Sequence, residues 1–119
     1  MSLSREAEAL RAVGVARRAG CVAVGTRAVR EAARGGKLAA ILIARDASEN
    51  ARGRLEGVRR RSGTSLTPCA DRRALGAAVG RGPVAVLGVT ERGLADLVLG
   101  SLGRGGDDEV GRRTPSSEE

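Results

Sequence analysis

The chemistry this sequence can offer is concentrated in one run, "CVAVGTRAVREAARGGK", from Cys21 to Lys37. An apolar stretch stops at Gly25 and a hydroxyl follows at Thr26. Arg27, Arg30 and Arg34 then recur at helical spacing, before Gly35, Gly36 and Lys37, the only lysine in the chain. The first N–H groups of a helix have no intrahelical acceptor and point outward along its axis, so they attract phosphate. The macrodipole mildly disfavours arginine in a first turn. A site made of donors alone suits sugar–phosphate and guanine edges. The competing reading makes Arg27, Arg30 and Arg34 the solvent face of a helix packed through Val29, Ala32 and Ala33.

Other chemistries find little material. Histidine is absent, which removes imidazole catalysis and histidine metal ligands. Cys21 and Cys69 make no zinc site and no Cys-x-x-Cys motif, and both fall in strand-like runs, where a free cysteine behaves as a small buried apolar residue. No Gly-x-Gly-x-x-Gly follows a strand, no phosphate-loop lysine follows a glycine loop, and no Gly-x-Ser-x-Gly elbow is present. The acids stand singly, and Asp46 and Asp71 sit where helix caps belong. The expectation is a protein that is not an enzyme, with no catalytic residue, no metal and no cofactor.

Charge and composition narrow the partner. The 119 residues carry 21 basic and 14 acidic side chains, a net charge of +7, and 20 of the 21 are arginine. Residues 1–100 hold 18 bases and 9 acids (+9), whereas residues 103–119 hold 3 bases and 5 acids (−2). A polyanion fits the first segment; an arginine-rich solvated surface is the other reading. There is no Phe, Trp or Tyr, so aromatic platforms for stacking bases are excluded and a nucleic-acid partner would be structured rather than single-stranded. The charged N-terminal run lacks a signal-peptide core and no segment is apolar enough to span a bilayer. A cytoplasmic monomer with no membrane partner is expected.

The positioning elements follow from capping and periodicity. Ser4 caps a helix through "REAEALRAVGVARRAG", and "CVAV" is a short strand. Thr26 caps a second helix, 27–34, closed by Gly35 and Gly36. "LAAILIA" reads as a strand buried on both faces. Asp46 or Ser48 caps a helix to about Arg61, stopped at Gly63. "TSLTPC" is an edge strand, since Pro68 cannot donate to a ladder. Asp71 caps "RRALGAAVG", "PVAVLGV" is a second buried strand, and Thr90 caps "ERGLADLVLGSL". After Leu102 the apolar pattern stops. A domain over 1–102 and a disordered acidic tail over 103–119 are expected. Strict alternation with doubly buried strands gives a three-layer α/β/α sandwich, and alternation alone suggests an all-parallel sheet.

The segments "LRAVGVARRAGCVAVGTRAVREAARGGKLAAILIARDASENARGRL" and "RRALGAAVGRGPVAVLGVTERGLADLVL" resemble the kink-turn-binding ribosomal proteins, the family of large-subunit proteins seven-Ae and thirty-e, and especially its small bacterial members. The resemblance covers roughly residues 7–102. It implies an α/β/α sandwich with a four-stranded mixed sheet rather than a parallel one. It also implies RNA binding by the loop before the second helix, the start of that helix, and the loop into the last strand. Gly25 matches the glycine of the family's Gly-x-Asn-Glu-x-x-Lys motif. Arg27 stands at the Asn, Ala28 at the Glu and Glu31 at the Lys, while Gly36 matches a glycine after the helix. Carried onto this sequence, the RNA-binding set is Gly25, Thr26, Arg27, Arg30, Arg34, Lys37, Arg45 in a neighbouring turn, Arg81, Gly82, Pro83 and Val84. The implied function is binding of structured, kink-turn-like RNA in a ribosomal or translational setting. Ala28 and Glu31 support an alternative, a protein-interaction module that kept the fold and lost specific RNA recognition.

Overall fold

The computed structural model describes residues 4–103. Residues 104–119, nearly all of the expected acidic tail, lie outside the described residues.

Five helices and four strands alternate among the described residues: α1 (Arg5–Arg18), β1 (Val22–Val24), α2 (Thr26–Arg34), β2 (Ala40–Ile43), α3 (Glu49–Ser62), β3 (Leu66–Pro68), α4 (Arg72–Ala78), β4 (Val86–Val89) and α5 (Arg92–Ser101). The sheet order is β1-β4-β2-β3. β2 and β3 pair in parallel, with Ile43 opposite Pro68. β4 runs antiparallel to both its neighbours, Val24 facing Leu87 on one side and Ile43 facing Val86 on the other. The sheet is therefore mixed. Alternation suggested a parallel one because βα alternation does not report direction, and the last strand inserts reversed between β1 and β2.

The period of two along the strands separates two cores. Leu42, Ala44 and Leu87 face α1, α4 and α5, packing with Val13, Leu75, Val79 and Val98. Ala40 and Val89 extend that layer against Ala16 and Ala95. Ile41, Ile43 and Val86 face α2 and α3, packing with Val29, Leu55 and Val58. Every residue of β2 and β4 is buried, as the continuous apolar runs required. Full burial of each aliphatic side chain contributes roughly 1.5–3 kcal/mol, which is how a core without aromatic residues holds. Gly88 faces the α2 layer, where an added Cβ would stand 2.6 Å from Leu38 and 3.2 Å from Val29, so α2 approaches β4 closely.

Two expected caps move by one residue. Gly25, not Thr26, is the N-cap of α2, and Thr26 is its first helical residue. Glu91, not Thr90, caps α5, its carboxylate accepting from the Leu94 N–H at 2.7 Å. Ser48 rather than Asp46 caps α3, accepting from Ala51 N–H. Pro68 does lie on the edge strand β3.

Candidate nucleic-acid interface

The reversed direction of β4 decides which loops meet. β1, β2 and β3 all end at one edge of the sheet, and β4 begins there. A parallel β4 would have put residues 81–84 at the opposite edge. Backbone hydrogen bonds tie the loops across this edge: Gly25 N–H to Val86 C=O at 3.0 Å, Ala44 N–H to Ala85 C=O at 2.8 Å, and Arg45 N–H to Ala70 C=O at 2.8 Å. The start of α2 and the loop into β4 are thus neighbours fixed by the main chain.

The start of α2 differs from the other helices. Ser4, Ser48, Asp71 and Glu91 each cap their helix with a side-chain acceptor. α2 has no side-chain cap and no acid in its first turn. Gly25 spends its own N–H on Val86, so the amides of Thr26, Arg27 and Ala28 have no acceptor among the described residues. Gly25 has φ 93° and ψ 163°, a conformation open essentially to glycine alone. At 100° per residue, Arg27, Arg30, Glu31 and Arg34 fall within about 100° of arc on the outer face of α2. Val29 is buried beneath. The three arginines are exposed, and none lies within ion-pair distance of a carboxylate among the described residues.

The opposing loop is shaped by α4. Gly80, at φ +71°, ends the helix; its N–H bonds to Ala77 C=O and the Arg81 N–H to Gly76 C=O, at 3.1 and 2.8 Å. The chain then turns back along α4 until the Val84 N–H meets Arg72 C=O at 3.0 Å. This return is possible because residue 76 has no side chain: an added Cβ would stand 1.8 Å from the Gly82 carbonyl oxygen. Arg81, Gly82 and Pro83 are exposed, and Val84 is buried in the core. Gly76 belongs to the site's supporting structure and was not singled out from sequence. A glycine inside so short a helix, where it costs about 1 kcal/mol against alanine, was the available signal.

The remaining candidates separate. Arg45 is at the same edge, but its guanidinium pairs with Glu6 at the start of α1 and its carbonyl accepts from Arg52. Asp46 accepts from the Arg72 N–H at 2.9 Å and from its side chain, so from 26 residues away it satisfies the first N–H of α4 beside the Asp71 cap. The Arg72 backbone bond is the main cause holding the Asp46 carboxyl below its ordinary pKa. Arg34 lies about 10 Å along α2 from Arg27. Lys37 precedes β2 at the opposite edge; its N–H bonds to Ala32 C=O, and the N–H of Ala39, two residues on, bonds to Val89 C=O at the far end of β4. Gly25, Thr26, Arg27, Arg81, Gly82 and Pro83 all lie at the end of the sheet where β4 begins. Arg30 and Arg34 continue outward from them, and Lys37 stands apart.

No group of three or more Cys, Asp or Glu that could hold a metal occurs among the described residues. The thiols are not equivalent, as strand placement of both had suggested. Cys69 is fully buried and burial pushes its thiol up to about 11. Cys21 precedes β1, is half-buried, and donates only weakly to Ala19 C=O at 3.5 Å. No helix among the described residues is long and apolar enough to cross a membrane.

No curated protein matches the chain by sequence. Solved structures do. A protein of unknown function from Bacillus halodurans aligns with a TM-score of 0.77 and 22% identity, covering 82% of this chain and 99% of its own. The 15.5kD RNA binding protein of Giardia lamblia aligns with a TM-score of 0.69 and 19% identity, covering 87% of this chain and 89% of its own. At these identities the likeness establishes a shared fold. The sequence profile of one family matches residues 7–99, most of the chain and every element from α1 to the body of α5. The chain belongs to the Ribosomal protein L7Ae/L30e/S12e/Gadd45 family.

Proposed function

We propose that this protein binds structured RNA, without catalysis, at the sheet edge where α2 and β4 begin, and that it works in a ribosomal or translational setting. The observation that carries this reading is that three amides without an acceptor among the described residues, and Arg27, at the start of α2, share one end of the sheet with the exposed Arg81–Pro83 loop. Family membership and the fold shared with an RNA binding protein support it. Each amide or guanidinium is a donor, and phosphates and guanine edges are acceptors. The absence of aromatic side chains favours recognition by shape and backbone over stacking of unpaired bases.

Kink-turn-like RNA is the proposed target class, read differently from the family motif. Arg27 supplies a forked donor where the motif has Asn, and Ala28 supplies no acceptor where it has Glu. Specificity then rests on shape and on the Arg27 and Arg81 forks. The second reading, a protein-interaction module, has Ala28 and Glu31 in its favour. Crosslinking in cells followed by sequencing of the attached RNA separates the two. Enrichment of a few structured RNAs, with crosslinks at residues 25–30 or 81–83, supports the RNA reading. Background RNA recovery alongside a stable protein complex supports the other.

A further inference from the structure

α2 and α3 both start at the sheet edge and run side by side away from it. Their C-terminal halves enclose a cleft of about 380 Å³ lined by Arg30, Ala33, Arg34, Val58, Arg61 and Ser62. A shallower groove of about 160 Å³ on the outer face of α2 is lined by Arg27, Arg30, Glu31 and Arg34. The two depressions share Arg30 and Arg34, so one basic track leads from the proposed RNA site across to α3.

The cations on this track are uncompensated. Arg45, Arg59 and Arg72 each have a carboxylate partner. Arg27, Arg30, Arg34 and Arg61 have none within ion-pair distance among the described residues. Glu31 is the carboxylate beside the groove, one turn from Arg27, and Glu56 on α3 is held by Arg59. The Ser62 hydroxyl is committed to Val58 C=O and to the Thr64 N–H, so the guanidinium groups are the recognising elements. The helix dipole explains cations in a last turn, where Arg34 and Arg61 sit, but not Arg30 in mid-helix or the convergence of all three on one cleft. On α3 the Arg61 guanidinium lies back over Gly57, where an added Cβ would stand 3.3 Å from it.

We propose that this cleft takes the phosphate backbone of a duplex stem continuing from the RNA element held at the sheet edge; the proposal rests on the RNA-binding reading above. Guanidinium forks match phosphate oxygens, and a track of forks without stacking residues reads a duplex backbone independently of sequence. Its continuity with the start of α2 favours a longer polyanion over an isolated small anion.

The test uses two RNA duplexes carrying the same asymmetric internal loop, one with a short flanking stem and one with a long one. Affinity is measured by fluorescence anisotropy across a salt series for wild type, Arg27→Ala, Arg61→Ala, Arg61→Lys and Arg92→Ala. Arg61→Ala should lower the magnitude of the salt slope by roughly 0.7–0.9 on the long stem and leave the short stem unchanged. Arg61→Lys should keep the slope, and Arg92→Ala should match wild type on both. An unchanged long-stem slope in Arg61→Ala, or an equal loss on both RNAs, overturns the stem track; if Arg27→Ala still weakens both duplexes, the sheet-edge reading survives. If Arg27→Ala has no effect either, both proposals fall.

Discussion

Gly76 and Gly82 lie in a contact that no side chain at position 76 permits: a methyl there would stand 1.8 Å from the Gly82 carbonyl oxygen and 3.0 Å from that of Arg81. The loop that carries Arg81 is folded against the bare side of α4. Replacing Gly76 by alanine sets about 1 kcal/mol of helix propensity against a backbone clash that only movement of the loop can relieve. The clash should win. We expect Gly76→Ala to destabilise by about 1–3 kcal/mol, with weaker RNA binding as the loop leaves its place. A melting temperature at or above wild type would show that the loop is not held this way.

Gly25 and Gly53 make a matched pair. Neither has an atom within 4 Å of its missing Cβ, so space does not distinguish them. Backbone conformation does: Gly25 has φ 93°, while Gly53 lies inside α3. Gly25→Ala should cost about 1–3 kcal/mol through strain. Gly53→Ala should stabilise by about 0.5–1 kcal/mol through helix propensity. Thermal melts of the two variants would test both signs, and equal shifts would contradict the backbone argument.

The thiols should separate by rate. Cys21 should alkylate in the folded protein, and Cys69 only on unfolding, because it is buried and its thiolate is suppressed. The raised thiol also predicts an alkaline effect. Above its ordinary value of 9.0 the unfolded chain loses this proton while the folded protein keeps it to about 11. Stability should therefore fall as pH rises through that window. Cys69→Ala should flatten the fall, and an unchanged pH profile would contradict it.

At the acid end the sign reverses. Asp46 and Glu91 are held below their ordinary values chiefly by backbone N–H groups of Arg72 and Leu94. Their contribution is present above the ordinary carboxylate range and is lost as pH falls through the folded values. Asp46→Ala should lower stability at neutral pH and reduce its dependence on pH in that acid range. A variant that melts like wild type at neutral pH would show that this long-range hydrogen bond is idle.

Local signals were legible in the sequence and long-range ones were not. Ser4, Asp71, Gly63 and Pro68 are legible, and Ser48 as one of two candidates, because each acts on backbone within a few residues. The caps expected at Thr26 and Thr90 lie one position earlier and one later: the chain enters α2 at Gly25, at φ 93°, and the Glu91 carboxylate accepts from the Leu94 N–H. Asp46 stands in sequence where a cap for α3 belongs, but its carboxylate serves the first N–H of α4 at Arg72, which neighbours it through the β2–β3 pairing. That the sheet is mixed came from the family resemblance alone, and that β4 is the reversed strand is seen only in the pairing, since no period along Val86–Val89 encodes direction. That reversal separates Lys37 from Arg81 and brings Arg81 toward Gly25. Arg61 went unnoticed because its convergence with Arg30 and Arg34 exists only after α3 packs on α2.

The most direct measurement is the salt dependence of binding to a duplex RNA with an asymmetric internal loop, for single alanine variants at the two ends of the sheet. Arg27 and Arg81 lie at the edge where β4 begins, whereas Lys37 and Arg92 lie where it ends. All four are exposed and each substitution removes one positive charge. Arg27→Ala and Arg81→Ala should each weaken binding and lower the magnitude of the salt slope by roughly 0.7–0.9, while Lys37→Ala and Arg92→Ala stay near wild type. Equal losses from all four would mean that the RNA sees only diffuse charge, and would contradict a site built on the start of α2.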